Sequence, residues 1–412
     1  MLMNSPVTSL FAGAWPTVVG LLPIVLTIVF MTMAYEIWIE YKRREFLSKQ
    51  KHVLLEIRLP KEITKSPLAM ELLFSALHMT GGDSGNMWDK ITAGKARPTF
   101  SLELVSIGGQ VHFFIYCRAA QKKFVEAQIY AQYPGIEVTE VPDYTEGTEF
   151  DPDQIAMWGT DLEMNKTDAY PIKTYIDFGL DKDPKEEMKV DPITPVLELL
   201  GSLTHGEQLW IQIIIRAHKK EDKKAGTFFE LTDRWKDEAQ KEIEAIRKKA
   251  TPESEGDFPG FPNPTKGQNE AIAAIERNIS KLGFDCGIRA LYIADKDVFD
   301  PGHIAGLLGV FKQYNTDALN GFKPARPTVF DYPWQDVFGT KIIRKKKKKL
   351  ALYKNRLYFN DTGTPHAAKE KPFVLNTESL ATIYHFPGNV AQTPTFSRVL
   401  SKKAEPPANL PI

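Results

Sequence analysis

The chain has 412 residues, and its 52 lysine and arginine residues balance its 52 aspartate and glutamate residues. This balance excludes a body that attracts nucleic acid through a strong overall positive field. Hydrophobic residues make up 43% of the sequence, which is enough for packed cores. The length beyond the N-terminal apolar run predicts about two to three domains.

The first hydrophobic run, residues 15–35, has the length of a membrane-crossing helix. No side chain in the first 35 residues carries a charge. As a helix the run would be roughly 31 Å long, which matches a hydrocarbon core of about 30 Å. Trp15 marks one end, and Trp38 and Tyr41 mark the other, as aromatic residues do at the two membrane interfaces. The sequence therefore predicts a transmembrane helix over residues 15–41.

Basic residues flank this run on its C-terminal side. Lys42, Arg43 and Arg44 follow it at once. The positive-inside rule then places residues 1–14 outside and the remaining body in the cytoplasm, so the predicted location is the cytoplasmic membrane with a single pass. A cleaved signal peptide is the alternative, but its small-residue site should follow the run, whereas Ala12-Gly13-Ala14 precedes it.

Residues 42–145 are predicted to form a first α+β unit. Apolar residues with a period of two indicate strands, and a 3.6-residue apolar period indicates helices. Gly108-Gly109 is typical of a two-residue hairpin turn. The order is β-α-β-β-α-β, which is that of the ferredoxin-like or split βαβ unit. Strands are predicted at residues 53–59, 100–107, 111–118 and 136–141, and helices near residues 66–80 and 120–132.

Residues 165–330 are predicted to form a second α+β unit. It carries a charged helical insertion over residues 219–282, where lysine and glutamate recur at helical spacing. The remaining apolar segments indicate strands and helices of the same kind as in the first unit. Strands are expected at residues 172–180, 208–217 and 286–294.

A short internal repeat links the two units. Five of eight positions are identical between residues 71–78 and 198–205, and each segment is followed by an apolar strand that ends in Arg-Ala. We interpret the repeat as a duplication, with chance similarity between leucine-rich helices as the alternative. The predicted fold class is therefore α+β, with an N-terminal transmembrane helix followed by duplicated ferredoxin-like (split βαβ) units.

The sequence contains none of the short motifs that carry common chemistries. A phosphate-binding loop is absent, so Asp295 at the end of an apolar strand is interpreted as a strand terminus and not as a magnesium ligand. The eight histidines show no metal-site spacing, and Cys117 and Cys286 lie in apolar runs typical of buried thiols. We therefore expect no catalytic, cofactor-binding or metal-binding residue and no enzymatic activity, while a hydrolase with a dispersed site stays open.

A run of six cations lies in the C-terminal segment, residues 331–412, which ends in a proline-rich tail. Like-charge runs are usually solvated surface. The alternatives are contact with anionic lipid headgroups or with a nucleic-acid backbone. Tyr353, Tyr358 and Phe359 follow closely and leave room for base stacking. The candidate contact residues are Arg344, Lys345, Lys346, Lys347, Lys348 and Lys349.

Six stretches carry a resemblance to a known group of proteins, and they are residues 105–115, 126–135, 206–215, 319–324, 384–388 and 406–411. The stretches are structural and contain no catalytic motif. In these stretches the chain resembles an uncharacterised membrane-anchored family of ultra-small uncultured bacteria. That family is similar to the region that precedes the motor in conjugation-type, DNA-pumping ATPases of type IV secretion.

The resemblance implies a non-enzymatic platform or assembly subunit of a membrane translocation or secretion machine that transfers DNA. The chain stops at Ile412, about where the motor would begin. The ATPase is therefore expected as a separate chain, or the protein works without one. The expected partners are membrane lipid and a motor ATPase or other secretion-machine subunits, with weak nucleic-acid contact and self-association left open. The alternative function is a membrane-tethered nucleic-acid-binding protein that uses residues 344–349.

Overall fold

A computed structural model describes residues 6–60, 65–81, 87–181, 190–220, 222–223, 231–251, 263–359 and 371–388. The described chain divides into two units. The first unit contains residues 6–50 and 87–96, and the second contains the other described residues. The predicted proline-rich tail and residues 1–5 of the predicted outer segment lie outside the described residues.

The described residues combine helices and strands, which confirms the α+β class. The helices are α1 (Pro6–Ser48), α2 (Leu68–Leu77), α3 (Met87–Thr92), α4 (Lys122–Gln132), α5 (Thr194–Gly201), α6 (Arg234–Lys249), α7 (Lys266–Ser280), α8 (Pro301–Lys312), α9 (Thr340–Lys354) and α10 (Thr377–Ile383). The strands are β1 (His52–Arg58), β2 (Thr99–Ile107), β3 (Gln110–Arg118), β4 (Glu137–Val141), β5 (Ile155–Met164), β6 (Glu207–Ala217), β7 (Asp222–Lys223), β8 (Leu231–Thr232), β9 (Gly283–Asp295), β10 (Phe322–Ala325) and β11 (Phe373–Asn376).

The first unit is dominated by α1, which is 43 residues long. From Gly20 onward this helix is long and apolar enough to cross a membrane, with a mean hydropathy of 1.9 and no buried residue in its apolar window. It is the one helix with these properties among the described residues. A membrane anchor and a signal sequence both fit these properties.

The short helix α3 packs against the C-terminal part of α1 within this unit. The indole Nε1 of Trp38 donates a hydrogen bond to the carbonyl oxygen of Ile91 at 2.9 Å. Gly94 has a left-handed φ of 59°, and a Cβ at this position would lie 2.3 Å from the carbonyl carbon of Lys42. Only glycine therefore permits this close approach.

The second unit is built on one antiparallel sheet of nine strands. The strand order is β10-β5-β9-β6-β2-β3-β1-β4, and β11 pairs with β9 outside this path. β9 is 13 residues long, and all of its residues except Asp295 are buried. Because of its length, β9 pairs with two strands along one edge. Residues 283–286 pair with β11, and residues 288–295 pair with β5.

The first four strands follow the predicted β-α-β-β-α-β order. In space their order is β4-β1-β3-β2, and each neighbouring pair is antiparallel. Gly108 and Gly109 join β2 to β3 with φ angles of 58° and 86°, as the sequence predicted. Positive φ at both central turn positions is typical of a type I′ hairpin, which glycine forms without steric cost.

The prediction of a strand over residues 172–180 is wrong, because this segment forms turns. The carboxylate of Asp177 accepts a hydrogen bond from the backbone nitrogen of Thr174 at 2.8 Å and another from the Thr174 hydroxyl at 3.1 Å. Gly179 has a left-handed φ of 77°. A local side-chain bond and a glycine turn therefore replace the strand that the alternating pattern suggested.

The strand that precedes α5 is β5, which begins at Ile155, before the predicted second unit (165–330). Gly159, Thr160 and Asp161 interrupt its apolar pattern, which hides it from a periodicity argument. After the first four strands, the chain of the second unit continues with β5, α5, β6, β9, α8 and β10, if the charged insertion between β6 and β9 is left aside. The spatial order of these four strands is β10-β5-β9-β6.

The charged insertion between β6 and β9 contains α6 and α7. β7 and β8 pair with each other, and α6 begins only at Arg234. Its N-cap is Asp233, whose side chain accepts a hydrogen bond from the backbone nitrogen of Lys236. The two helices bury one face against each other through a small cluster that includes Ala239 of α6 and Ile275 of α7.

Side chains on the two faces of the sheet form separate cores, because successive side chains of a strand alternate between faces. One face carries the main core together with α2, α4, α5, α8 and α10. The opposite face, which we call the α9 face, is covered by Leu350 and Tyr353 of α9. These two residues pack with Trp210 and Leu291 of the sheet.

Candidate functional site

Four polar side chains form a continuous row across the α9 face. Asp161 of β5 is opposite Arg289 of β9, Arg289 is opposite Gln212 of β6, and Gln212 is opposite Glu103 of β2. All four are fully buried. We call them the polar row. Burying charged groups is costly unless each is paired and hydrogen-bonded, so this row needs partners.

The members of the polar row bond to one another. Arg289 Nε donates to Asp161 Oδ1 at 3.1 Å, and Gln212 Nε2 donates to Glu103 Oε1 at 3.1 Å. Arg289 Nη1 lies 3.5 Å from Gln212 Oε1, at the limit of a hydrogen bond. The row is therefore a chain of alternating donors and acceptors that crosses four strands.

α9 and the residues after it close over the polar row. Lys349 Nζ bonds to Asp161 Oδ2 at 2.5 Å. Gln212 Nε2 donates to the carbonyl oxygen of Tyr353 at 3.1 Å, and Arg289 Nη2 donates to that of Leu357 at 3.3 Å. Backbone carbonyls and a lysine from one helical segment thus supply the partners that the strands lack.

Two arginines complete the row at its ends, and both have an unusual backbone. Arg326 and Arg356 each have φ of 51°, and they are the non-glycine residues with positive φ among those that the structure describes. Arg326 Nε donates to Asp161 Oδ2 at 3.1 Å. Arg356 Nε and Nη2 donate to the two oxygens of Glu103 at 3.1 Å and 3.2 Å. Left-handed backbone costs about 1–3 kcal/mol for such residues, and these charged bonds compensate for it.

The guanidinium of Arg356 also pairs with Asp143, which links the row to the loop after β4. In the same loop, the Tyr144 hydroxyl donates to Glu103 Oε2 at 2.8 Å and lies 2.8 Å from the Tyr353 hydroxyl. Burial raises the pKa of both phenols well above the usual value. Tyr144 and Tyr353 therefore stay neutral and act as hydrogen-bond donors at any physiological pH.

Neighbouring cations keep the Asp161 carboxyl ionised despite its burial. Burial alone raises the pKa of the Asp161 carboxyl, but the charges of Arg289 and Lys349 outweigh burial and lower this pKa. For Arg356, burial alone lowers the pKa, but the carboxylates of Glu103 and Asp143 outweigh burial and raise it. The buried charges of Asp161 and Arg356 are thus compensated by partners inside the protein.

One known protein family matches the part of the chain that forms the sheet, α9 and the polar row. The family described as a domain of unknown function (DUF8128) matches residues 32–398, which include every strand of the sheet, α9 and the polar row. The chain belongs to the DUF8128 family. No curated protein matches it.

The DUF8128 fold divides the predicted basic run between two environments. The run lies on α9, where Lys349 is buried and bonds to Asp161 of the polar row. Lys345 and Lys346 are half-buried, and burial lowers the pKa of both. Lys346 lies over the ring of Phe150, with 5.6 Å between Nζ and the ring centroid.

Arg344, Lys347 and Lys348 are the exposed members of the run. These three are the members most accessible to lipid or nucleic acid, whereas Lys349 is bonded to Asp161 in the interior. Tyr353 and Tyr358, which the sequence left available for base stacking, are buried, as is Phe359.

A small surface depression lies beside the exposed part of α9. Its volume is about 250 Å³, and Lys347, Lys354 and Glu149 contribute charged groups to its lining. Lys354 Nζ is engaged with the carbonyl oxygen of Thr148 at 3.0 Å. Pockets for drug-sized ligands usually hold roughly 300–1,000 Å³, so this depression is smaller than a typical ligand site.

A second buried cluster of charges lies on β9 and the start of the insertion. Asp285 Oδ2 accepts from Arg216 Nη2 at 2.9 Å, and Asp285 Oδ1 lies 2.6 Å from His218 Nδ1. His218 Nε2 in turn lies 3.2 Å from Asp233, the N-cap of α6. This cluster attaches the insertion to the sheet.

Metal and thiol chemistry find no support in the side chains that the structure describes. No group of three or more His, Cys, Asp and Glu residues among them is arranged to hold a metal ion. Cys117 and Cys286 are buried free thiols, as the sequence predicted. Burial raises the pKa of Cys117 to about 12 and that of Cys286 well above its usual value, so neither forms the reactive thiolate readily.

The polar row was missed in the sequence, although three of its members leave a signal. Glu103, Gln212 and Arg289 each stand between two apolar residues near the middle of a mostly buried strand. A lone charge in such a strand indicates a buried pair, because an unpaired charge would not be tolerated there.

Proposed function

We propose that the chain is a membrane-anchored, non-enzymatic platform or assembly subunit of a translocation or secretion machine that transfers DNA by a conjugation-like route. The observation that carries the proposal is the polar row, whose charges bond to one another and to α9. Charges that are paired inside the protein stabilise one arrangement of the body and are not available to bind a ligand at its surface. In this proposal a separate motor ATPase supplies the energy.

The anchor in this proposal is α1. Its apolar part is long enough to span a membrane, and Lys42, Arg43 and Arg44 follow that part. Trp38 and Tyr41 are exposed near the basic end, as interfacial aromatic residues are. The proposed orientation places the N-terminus outside and the body in the cytoplasm.

The body in this proposal is a duplicated pair of ferredoxin-like (split βαβ) units. The spatial orders β4-β1-β3-β2 and β10-β5-β9-β6 support the duplication, because each gives the fourth, first, third and second strand of its own half. In the internal repeat, residues 71–77 lie on α2 and residues 198–201 lie on α5, and the rest of each segment follows its helix. The two helices occupy the same place in each half. The Arg-Ala endings fall on β3 and β6, which do not correspond, so they give no support.

The junction between the two halves favours a rigid platform. β2 and β6 pair from Thr99↔Arg216 to Ile107↔Gln208 and join the halves into one sheet. The polar row crosses this junction at the bond between Gln212 and Glu103. Separating the halves would expose an apolar interface and break buried charged bonds, which is costly.

The assignment to a secretion machine is supported by the resemblance to the region that precedes DNA-pumping motors. We therefore expect the full chain, purified from its source membranes in mild detergent, to bring an ATP-hydrolysing partner with it. The chain expressed alone should show no ATP turnover. Saturable turnover that is abolished by Asp295→Asn but retained in the neighbouring Asp297→Asn control would overturn the proposal.

Orientation has its own test. A cysteine in place of Asn4 should react with a membrane-impermeant thiol reagent on intact cells, whereas one in place of the exposed Lys266 should react only after lysis. The native thiols Cys117 and Cys286 are buried and give a low background. The opposite labelling pattern contradicts the proposed orientation.

The second candidate is a membrane-tethered nucleic-acid-binding protein, and the exposure of Arg344, Lys347 and Lys348 is the observation that favours it. Replacing these three by glutamine should weaken binding to single-stranded DNA and flatten the slope of log affinity against log salt. The matched control replaces Arg247, Lys248 and Lys249, the exposed cations at the end of α6. An equal loss of DNA affinity in both triple variants would contradict a binding site on α9. Tight binding that survives high salt would contradict a site that acts through these cations.

A further inference from the structure

Four large apolar side chains lie in solvent immediately before the basic helix α9. Phe338 is 87% exposed, Val337 is 74%, Trp334 is 70% and Tyr332 is 52%. Single exposed apolar residues are ordinary, whereas several exposed apolar residues in one short segment indicate an interaction surface. None of the proposed roles of the polar row uses these residues.

The local structure holds this segment against the start of α9. The carboxylate of Asp336 accepts hydrogen bonds from the backbone nitrogens of Lys341 at 3.2 Å and Ile342 at 2.7 Å. Gly339 turns the chain with a left-handed φ of 68°. The rings of Tyr332 and Trp334 stack, with 4.6 Å between centroids and 12° between planes. These contacts hold the backbone beside α9 and the two stacked rings, so this part of the segment loses less conformational freedom on binding a partner.

Exposed cations continue from this group along one face of α9. Lys341, Arg344 and Lys348 recur at spacings of three and four residues, which places them on the same side of the helix. Lys347 is exposed beside them. The acid nearest in sequence to the start of the helix, Asp336, is used as its cap. The exposed surface of this helix is thus strongly positive.

We propose that the aromatic-basic patch, formed by residues 332–338 and the exposed cations of α9, binds the anionic headgroups of the membrane that anchors the chain. The inference rests on the proposed function, because α1 must hold the body beside a membrane. Aromatic and aliphatic side chains next to lysine and arginine are typical of segments that lie in the headgroup region. Each exposed cation adds attraction to anionic lipid.

The apolar part of the patch favours lipid over single-stranded nucleic acid. Bases stack on free aromatic faces. Tyr332 and Trp334 already cover one face of each other, and Val337 has no ring. A bilayer surface, by contrast, accepts aliphatic and aromatic side chains alike. Val337 and Phe338 can therefore both be buried in it, while the cations remain in the headgroup layer.

The test uses the full chain reconstituted into vesicles of phosphatidylcholine alone or of phosphatidylcholine with phosphatidylglycerol. A fluorophore is placed on Thr340→Cys, at the exposed first residue of α9, which leaves the patch intact. The matched reporter is Lys266→Cys, at the exposed first residue of α7. We expect quenching by neutral acrylamide to fall roughly threefold or more at position 340 in anionic vesicles only, and to stay unchanged at position 266.

Two further variants separate the parts of the patch. Val337→Ser with Phe338→Ser should restore quenching at position 340, as should glutamine at residues 344, 347 and 348. Glutamine at residues 247, 248 and 249 should not restore it. Equal quenching of the reporter at position 340 in both lipid mixtures overturns the inference.

The remaining outcomes are also decisive. A chain that does not float with either kind of vesicle contradicts the proposed anchor and therefore the proposed function. A chain that floats, but whose reporter at position 340 is protected by single-stranded DNA and not by anionic lipid, overturns the lipid assignment in favour of nucleic acid.

Discussion

Arg289 and Asp161 stand opposite each other on β9 and β5, with 3.1 Å between Nε and Oδ1, and neither is exposed to solvent. Asp161 also pairs with Lys349 of α9 and with Arg326 at the edge of the sheet. One buried carboxylate therefore joins three cations from three parts of the chain. Removing one partner from such a group leaves charge uncompensated in the interior, which costs more than the pair contributes.

The basic run offers a direct test of this relationship, because neighbouring lysines have different environments. Lys349→Met should lower the free energy of unfolding by about 3 kcal/mol, since it removes a buried partner of Asp161. Lys348→Met, on the exposed side of α9, should change it by less than about 0.5 kcal/mol. Denaturant unfolding of the full chain in detergent measures both. Similar effects of the two substitutions would show that Lys349 is not part of a buried network.

Arg356→Lys tests whether guanidinium geometry matters at the other end of the row. Lysine keeps the charge but cannot bond to both oxygens of Glu103 while also reaching Asp143. We expect a loss of about 2 kcal/mol in unfolding free energy. Arg344→Lys is the matched control at an exposed site and should have no measurable effect. A neutral Arg356→Lys would mean that charge alone suffices there.

Gly287 allows Tyr358 to lie against β9. A Cβ at residue 287 would be 2.3 Å from the Tyr358 ring. Gly287→Ala should therefore destabilise the protein by about 1–3 kcal/mol, as overpacking does. Gly309→Ala in α8 is the control, because nothing lies within 4 Å of a Cβ there, and it should stabilise slightly.

Combining Gly287→Ala with Tyr358→Ala shows whether the ring is the cause. If it is, the double variant should lose less stability than the sum of the two single variants. Thermal unfolding of all four proteins gives the coupling. Strict additivity would indicate that the alanine at residue 287 disturbs the strand itself.

His218 predicts a pH dependence of stability. Burial lowers its pKa, but the bonds to Asp285 and Asp233 outweigh burial and raise it. A raised pKa in the folded state means that protonated His218 stabilises the fold. This contribution is fully present below about pH 6.5, the usual histidine value, and is lost as pH rises through the raised pKa.

His218→Gln should therefore flatten the pH dependence of the unfolding midpoint above about pH 6.5. His205→Gln, at an exposed turn, is the control and should leave the curve of the native chain unchanged. If His218→Gln keeps the full decline with rising pH, another group is responsible for it.

Local pattern alone determined a large part of this protein. The uncharged run before Glu36 predicted α1, because hydrophobic length is a property of contiguous residues. Gly108-Gly109 predicted the hairpin between β2 and β3, because a type I′ turn depends on two adjacent φ angles. The buried state of Cys117 and Cys286 followed in the same way from their apolar neighbours. Each of these conclusions needs only residues that are close in sequence.

Only the tertiary structure decided which charged side chains are buried and with which partners they pair. β5 escaped a periodicity argument because Asp161 interrupts it. Asp161 is tolerated there because it pairs with Arg289, Arg326 and Lys349, which lie 128, 165 and 188 positions further along the chain. In the sequence Lys349 is one of six consecutive cations, Arg344 and five lysines, and its partner Asp161 lies 188 positions away. Hydrophobic burial and turn geometry are encoded locally, whereas the pairing of buried charges depends on which strands become neighbours and in which register. A single sequence does not state that register, because many strand pairings satisfy the same alternation of apolar residues.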